Sequence, residues 1–184
     1  MTTYTTYKEK AYQCLGLNTS PKCADGFIED HLQELYQSLI QYNDWFDNVV
    51  VGHMVIESPN KSRLDRFLDS YVKQRIKANS SIQAVKLLSV QETRHRDSNP
   101  HQHIVAIIAT NDAYIDLKSL ALLGVNLSQV KDKNNSRLLK RSNNKNYHIL
   151  NQEFEDSFNR LSYVCKIHSK TSNTMQTAEV IRKA

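Results

Sequence analysis

The residues most able to do chemistry lie between Glu92 and Thr110, which reads E-T-R-H-R-D-S-N-P-H-Q-H-I-V-A-I-I-A-T. His101 and His103 stand two apart at the head of the apolar run Ile104 to Ala109. Side chains alternate along a strand, so two imidazoles at this spacing point the same way and can converge on one metal ion. Glu92 lies nine residues before His101, at the end of another apolar run. If the two runs pair as a hairpin, its carboxylate returns beside the histidines. Two nitrogens and one oxygen leave coordination positions open for water or substrate. Imidazoles alone would also suit zinc or nickel, whereas a phosphate substrate favours magnesium or manganese. The spacing alone is equally that of ordinary surface or core histidines. His95 falls in the turn and is the poorer ligand candidate.

A second group is Tyr163 in L-S-Y-V-C-K-I-H-S-K, with Lys166 three residues on and Lys170 beyond it. On a helix, residues three apart share a side. A phenol is a poor nucleophile at its ordinary pKa of about 10. A metal-polarised phosphate in front of it and a lysine beside it both favour attack. The plain alternative is a core tyrosine, one of nine in the chain.

These groups need elements to hold them. Residues up to about Lys22 are polar and rich in Thr and Tyr, and read as an arm. From Phe27 to about Asn43, Ile28, Leu32, Leu35, Leu39 and Tyr42 form the stripe of an amphipathic helix, with Asp25 as a candidate cap. Asn48 to Glu57 is β-branched and reads as a strand, with Gly52 marking a bulge and His53 reading as a core or edge histidine. Lys61 to Lys77 is amphipathic and helical, Ile82 to Glu92 a second strand, and His101 to Thr110 a third. The intervening T-R-H-R-D-S-N-P suits a hairpin with a longer loop. Ile115 to about Val130 is helical in character, Lys131 to Asn146 a basic loop, and Tyr147 to Leu150 a fourth strand. Glu153 to about Ser169 reads as a final helix with Phe154, Phe158, Leu161 and Val164 or Cys165 on one face. Thr171 to Ala184 is a polar tail of weak helical character. The fold class is therefore α+β. The order describes a ferredoxin-like or RRM-like palm, β-α-β-β-α-β, with an antiparallel sheet, an N-terminal helix and a C-terminal tyrosine-bearing helix. One sheet face would be covered by helices and the other left open or covered only by the final helix. The expected division is an arm over 1–25, the principal domain over 26–170 and a tail over 171–184.

With 184 residues, 40% of them hydrophobic and 23% charged, the composition is that of a globular chain, not a disordered one. Apolar runs are too short to span a bilayer and the N-terminus lacks a signal-peptide core. Three cysteines without a CxxC point to a reducing compartment, so a cytoplasmic location and no membrane partner are expected. The net charge is +5, and Lys131 to Lys170 holds nine basic against four acidic residues, an excess of five. Such a stretch is either a solvated basic loop or a phosphate-contact surface.

The run N-P-H-Q-H-I-V-A-I-I-A-T-N, the upstream glutamate and S-Y-V-C-K-I-H-S-K together resemble the HUH endonuclease superfamily. The resemblance is closer to the replication endonucleases of filamentous bacteriophages (inoviruses) and their prophage-borne relatives. There a glutamate ends one strand, a Pro-His-x-His segment begins the next, and an S-Y-L-A-K-like helix follows. The likeness covers about Asn48 to Lys170. It implies a palm that binds a divalent metal, Mg2+ or Mn2+, and nicks and rejoins single-stranded origin DNA to initiate rolling-circle replication. On it, His101, His103 and Glu92 carry over as metal ligands, Tyr163 as the nucleophile that forms a 5′-phosphotyrosine, and Lys166 as its helper. Lys140, Arg141, Lys145 and Lys170 would contact DNA laid across the open sheet face. A host helicase and polymerase in a bacterial cytoplasm would be the partners. The chain departs from the pattern in carrying Gln102 where the family usually has a hydrophobic residue, one tyrosine rather than a pair, and no aspartate in the first strand.

Two rival readings follow from the same residues. One is a non-catalytic DNA-binding replication protein on this fold, which Gln102 keeps open. The other is a cupin-like metal oxygenase, which places its carboxylate soon after the histidine pair; here no acid follows His103 before Asp112.

Overall fold

In the computed structural model the described residues are 4–57, 82–92, 101–111, 147–167 and 175–182. The helices expected over 61–77 and 115–130, the turn with His95, the basic loop over 131–146, and Lys140, Arg141, Lys145 and Lys170 lie outside them.

Five antiparallel strands form the central sheet: β5 (Val49–Glu57), β6 (Ile82–Glu92), β7 (His101–Thr110), β8 (Tyr147–Ile149) and β9 (Gln176–Ile181). Their order is β8-β5-β7-β6-β9, which puts the histidine-bearing β7 at the centre. The chain is thus mixed α+β with an antiparallel sheet. β6 and β7 pair as the expected hairpin, with Glu92 opposite His101 and Val90 opposite His103. β5 flanks β7 on its other side, with His53 opposite Val105.

Alternation sorts the side chains into two faces. Val49, Val51, Ala84, Leu88, Val105, Ile107 and Ala109 join one core cluster with Leu32, Leu35, Leu39 and Tyr42 of helix α1 (Glu29–Trp45). Phe158 and Leu161 of helix α2 (Phe154–Leu161) belong to the same cluster. The opposite face is no more open: Val50, Ile104, Ala106, Ile108, Val85 and Leu87 are all buried. Of the two expected alternatives, an open face and a face covered by the final helix alone, neither holds as stated: both faces are buried, and the final helix shares the His103 face with α1. This burial explains why V-V-V and I-V-A-I-I-A are unbroken apolar runs rather than alternating ones, since a strand buried on both faces has no solvated side to make polar.

Several local expectations are corrected. The β5–β7 register runs through Gly52 unbroken, and the irregularity falls instead between Ile82 and Ala84. Helix α1 begins at Glu29 without a side-chain cap, so Asp25 does not serve as one; Glu29 and Asp30 place negative charge in its first turn instead. Residues 176–181 are not helical but form β9, an edge strand along β6. Their two-residue alternation of half-buried and exposed positions is a strand signal in a stretch whose composition is polar.

The N-terminal arm is ordered. It contains β1 (Thr6–Tyr7), the hairpin of β2 (Ala11–Tyr12) and β3 (Leu15–Gly16), and β4 (Phe27–Ile28), which pairs with β1. Tyr12 is buried against Phe158 and Tyr36. Side-chain amides fasten these pieces together. Asn159 donates to the carbonyls of Gly16 and Leu17 at 3.1 Å each. Asn151 accepts from the Val49 amide and donates to the Phe46 carbonyl, both at 2.9 Å, which joins the end of α1 to the start of β5.

Candidate active site

Tyr163 and Lys166 are placed by a change of helix type. α2 ends at Leu161 and the chain continues as a 3-10 turn over Ser162–Cys165. The expectation of one α-helix to about Ser169 is corrected here. A 3-10 turn has three residues per turn, so positions three apart eclipse one another. Lys166 then leaves the turn in extended geometry and bridges Phe27 of β4. Gly26 makes this junction: it sits at φ 94°, and a Cβ there would meet the Tyr7 carbonyl oxygen at 2.7 Å. Only glycine takes that conformation without cost. Its carbonyl accepts from the Ile167 amide at 3.0 Å.

The result is a buried polar cluster at one end of the helix-covered face. Lys166 is 0% exposed, Glu92 3% and His103 4%. The Lys166 ammonium pairs with Glu92 Oε1. Glu92 Oε2 lies 3.2 Å from His103 Nε2. His103 Nδ1 lies 2.7 Å from His53 Nε2, one ring donating and the other accepting, with the rings stacked at 5.0 Å. Tyr163 closes the cluster, with ring centroids 5.8 Å from His103 and 6.0 Å from His53. The Lys166 Nζ sits 4.1 Å from the Tyr163 ring centroid, over its electron-rich face. Burial pulls the Lys166 pKa below the usual lysine range, and Glu92 opposes that shift in part.

Four of the expected residues are therefore brought together from three parts of the chain: Glu92, His103, Tyr163 and Lys166. His101 is held by the backbone opposite Glu92, two residues from His103. Gln102 is buried and, by alternation, on the other face of the sheet from His103. It does not enter the cluster, so the most conspicuous departure from the family pattern leaves the site's lining unchanged.

Glu92 and His103 are donor types that a divalent ion takes, and both Glu92 oxygens are engaged here by protein groups, Lys166 and His103. Glu92 Oε2 and His103 Nε2 are 3.2 Å apart. Neighbouring ligands of an ion bound at about 2.0–2.2 Å stand roughly 3 Å from each other. Among the described residues no three such groups converge on one point. His103 stands between His53 and Glu92 with one ring nitrogen toward each, so those three run in line.

Sequence reasoning missed His53 as a member of the cluster. Val49, Val51 and His53 share a face by alternation, but only the β5–β7 register shows that this face meets His103. It also missed Asn18, Ser20 and Arg160, which with His53 and Tyr163 line an adjoining cavity of about 240 Å³. The spacing of Arg160, Tyr163 and Lys166 by threes was the available signal.

Compared with family models, with curated proteins and with solved structures, the chain matches none.

Proposed function

We propose that this chain is an HUH-type endonuclease and strand transferase that nicks and joins single-stranded DNA through Tyr163 to initiate rolling-circle replication of a phage or mobile element. The observation that carries this reading is the convergence of Tyr163, Lys166, Glu92 and His103, residues far apart in sequence, on one buried cluster. A second observation supports the ferredoxin-like or RRM-like palm. β5 and β6 flank β7, while β7 and β8 flank β5. Two interleaved crossovers of this kind are the pattern of a split β-α-β unit.

An ion such as Mg2+ or Mn2+ would be held by Glu92, His103 and His101, and would stabilise charge developing on the scissile phosphate. The chain's own residues do the rest. The Tyr163 oxygen attacks phosphorus as the bond to the 3′-oxygen breaks. The phenol proton is released and the departing 3′-oxygen takes one up, leaving a 5′-phosphotyrosine and a free 3′-hydroxyl. Lys166 places its ammonium over the ring, where positive charge offsets the negative charge gathering at the attacking oxygen and the phosphate. Glu92 holds Lys166 there, and β4 holds its backbone. The phosphotyrosine keeps the energy of the broken phosphodiester, so rejoining needs no nucleotide cofactor. The 3′-hydroxyl would prime a host polymerase, with unwinding left to a host helicase.

A non-catalytic DNA-binding replication protein on the same fold is the second reading. It is favoured by the engagement of both Glu92 oxygens by protein groups. Incubation with single-stranded origin DNA and Mn2+, followed by denaturing electrophoresis, separates the two. The proposed function predicts a covalent protein–DNA band that requires Mn2+ and is lost in His103→Ala. Binding without any such band in the wild type would establish the second reading instead.

A further inference from the structure

The cavity beside Tyr163 is not used by the chemistry described so far. Its lining brings together Asn18 and Ser20 from the N-terminal arm, Arg160 from α2, His53 from β5 and Tyr163. Among the described residues no acidic side chain lines it. Arg160 is half-buried, and among the described residues it makes no ion pair or hydrogen bond, although Asp156 stands one helical turn before it. A guanidinium held partly out of water without an anionic partner is the group best suited to a phosphodiester, because its planar fork matches two phosphate oxygens.

The opposite wall is fixed where an anion needs it. The Ser162 hydroxyl accepts from the Asn18 amide at 2.9 Å and donates to the Asn159 carbonyl at 2.7 Å. Asn18 Oδ1 in turn accepts from the Ser20 amide at 3.0 Å. The arm is thereby tied to the turn that carries Tyr163, and Ser20 lines the same cavity as Arg160. At about 30 Å³ per water molecule, a space of about 240 Å³ holds several waters that a phosphate can displace.

We infer that this cavity is the seat of the phosphodiester presented to Tyr163, with Arg160 as its principal anchor and Ser20 as a hydrogen-bonding wall. The inference rests on the DNA-nicking reading and names its phosphate subsite. It assigns the N-terminal segment around Asn18 and Ser20 to substrate binding, so the arm is part of the site.

The test uses the full-length chain, a fluorescent single-stranded oligonucleotide, and two readouts: the rate of covalent adduct formation with Mn2+, and equilibrium binding across a salt series. Arg160→Ala is expected to slow adduct formation by about a hundredfold. It should lower the salt slope of binding by roughly one unit, the loss of a single phosphate contact. Arg160→Lys should recover the slope and only part of the rate, since it keeps the charge and loses the fork. Ser20→Ala should slow the rate several-fold without changing the slope. Thermal melting like that of the wild type in Arg160→Ala would show that the losses are not unfolding. A wild-type adduct rate and an unchanged slope in Arg160→Ala would overturn the inference while leaving Tyr163 as nucleophile. If the wild type itself forms no adduct, the nicking reading fails, and the phosphate seat stands or falls on the salt slope alone.

Discussion

The helix-covered face of the sheet has two ends of opposite character, built on the same three strands. At one end Val49, Val51, Val105, Ile107 and Ala109 pack under Leu35, Leu39 and Tyr42, and the charges of Lys86 and Glu34 beside them pair at 3.3 Å and keep contact with solvent. At the other, a few residues along, His103 and Glu92 take the corresponding places on β7 and β6 and are buried nearly as well, as is Lys166 against them, while His53 on β5 is half-buried. The apolar end is held by area removed from water, which is non-directional and forgiving of small shifts. The polar end is held by matched charges, where each group removed leaves another stranded. The proposed activity would use both: a rigid apolar block for the strands, and at its rim a cluster whose charges are fixed in advance.

Substitutions can set the two ends against each other. The largest expected effect is on activity: Tyr163→Phe should abolish the covalent adduct while melting within a few degrees of the wild type. An adduct that survives in that variant would move the nucleophile elsewhere. Next is Glu92→Ala, which strands a buried ammonium and should cost about 3–5 kcal/mol, or roughly 6–20 °C in melting temperature at about 2–4 °C per kcal/mol. Combining it with Lys166→Met should recover most of that loss, since the stranded charge goes with it. If the double variant melts as low as the single one, the pair is not what holds this end together. At the apolar end, Leu35→Ala should cost about 2–5 kcal/mol through its cavity, and no second charge change should rescue it. Adduct formation per folded molecule should be kept.

The smallest effect is a pH dependence confined to the apolar end. Burial first, and the negative charge of Glu179 second, raise the Tyr42 phenol well above its ordinary value. The protonated form is the one the fold accommodates. Its contribution is fully present below the unfolded pKa of about 10 and is lost as pH rises beyond it, where the unfolded chain gives up the proton and the folded one does not. Alkaline unfolding of the wild type should therefore steepen above about pH 10. Tyr42→Phe should shift that transition upward while leaving stability at pH 7 within about 1 kcal/mol. An unchanged alkaline midpoint in the variant would mean that other tyrosines set it.

Much of this contrast was already legible in the chain. The strand bearing Glu92 and the strand opening on His101 were readable because alternation and β-branching mark them, and the turn chemistry between them fixed the hairpin. The stripe of α1 was readable because Leu32, Leu35, Leu39 and Tyr42 recur at helical intervals. The tail was misread because an edge strand with one solvated side looks polar in composition. Whether a face stays open was not legible, for the opposite reason: both faces of β5 and β7 are buried, and an unbroken apolar run marks a strand without saying what covers each side.

By itself the sequence determined the local elements and the types of the reactive groups, because those follow from nearest-neighbour periodicity and from the chemistry of imidazole, carboxylate, phenol and ammonium. It placed Glu92 beside the histidines, which needs only a hairpin, while the opposition of Glu92 and His101 came from the strand register. Tertiary structure alone decided that His53 stacks on His103, that Lys166 is buried on Glu92 rather than solvated, and that Asn18, Ser20 and Arg160 line one cavity. Each of those depends on strand order and on how the arm packs against α2. Contacts between segments 50 to 144 residues apart leave no periodic trace in the chain that makes them.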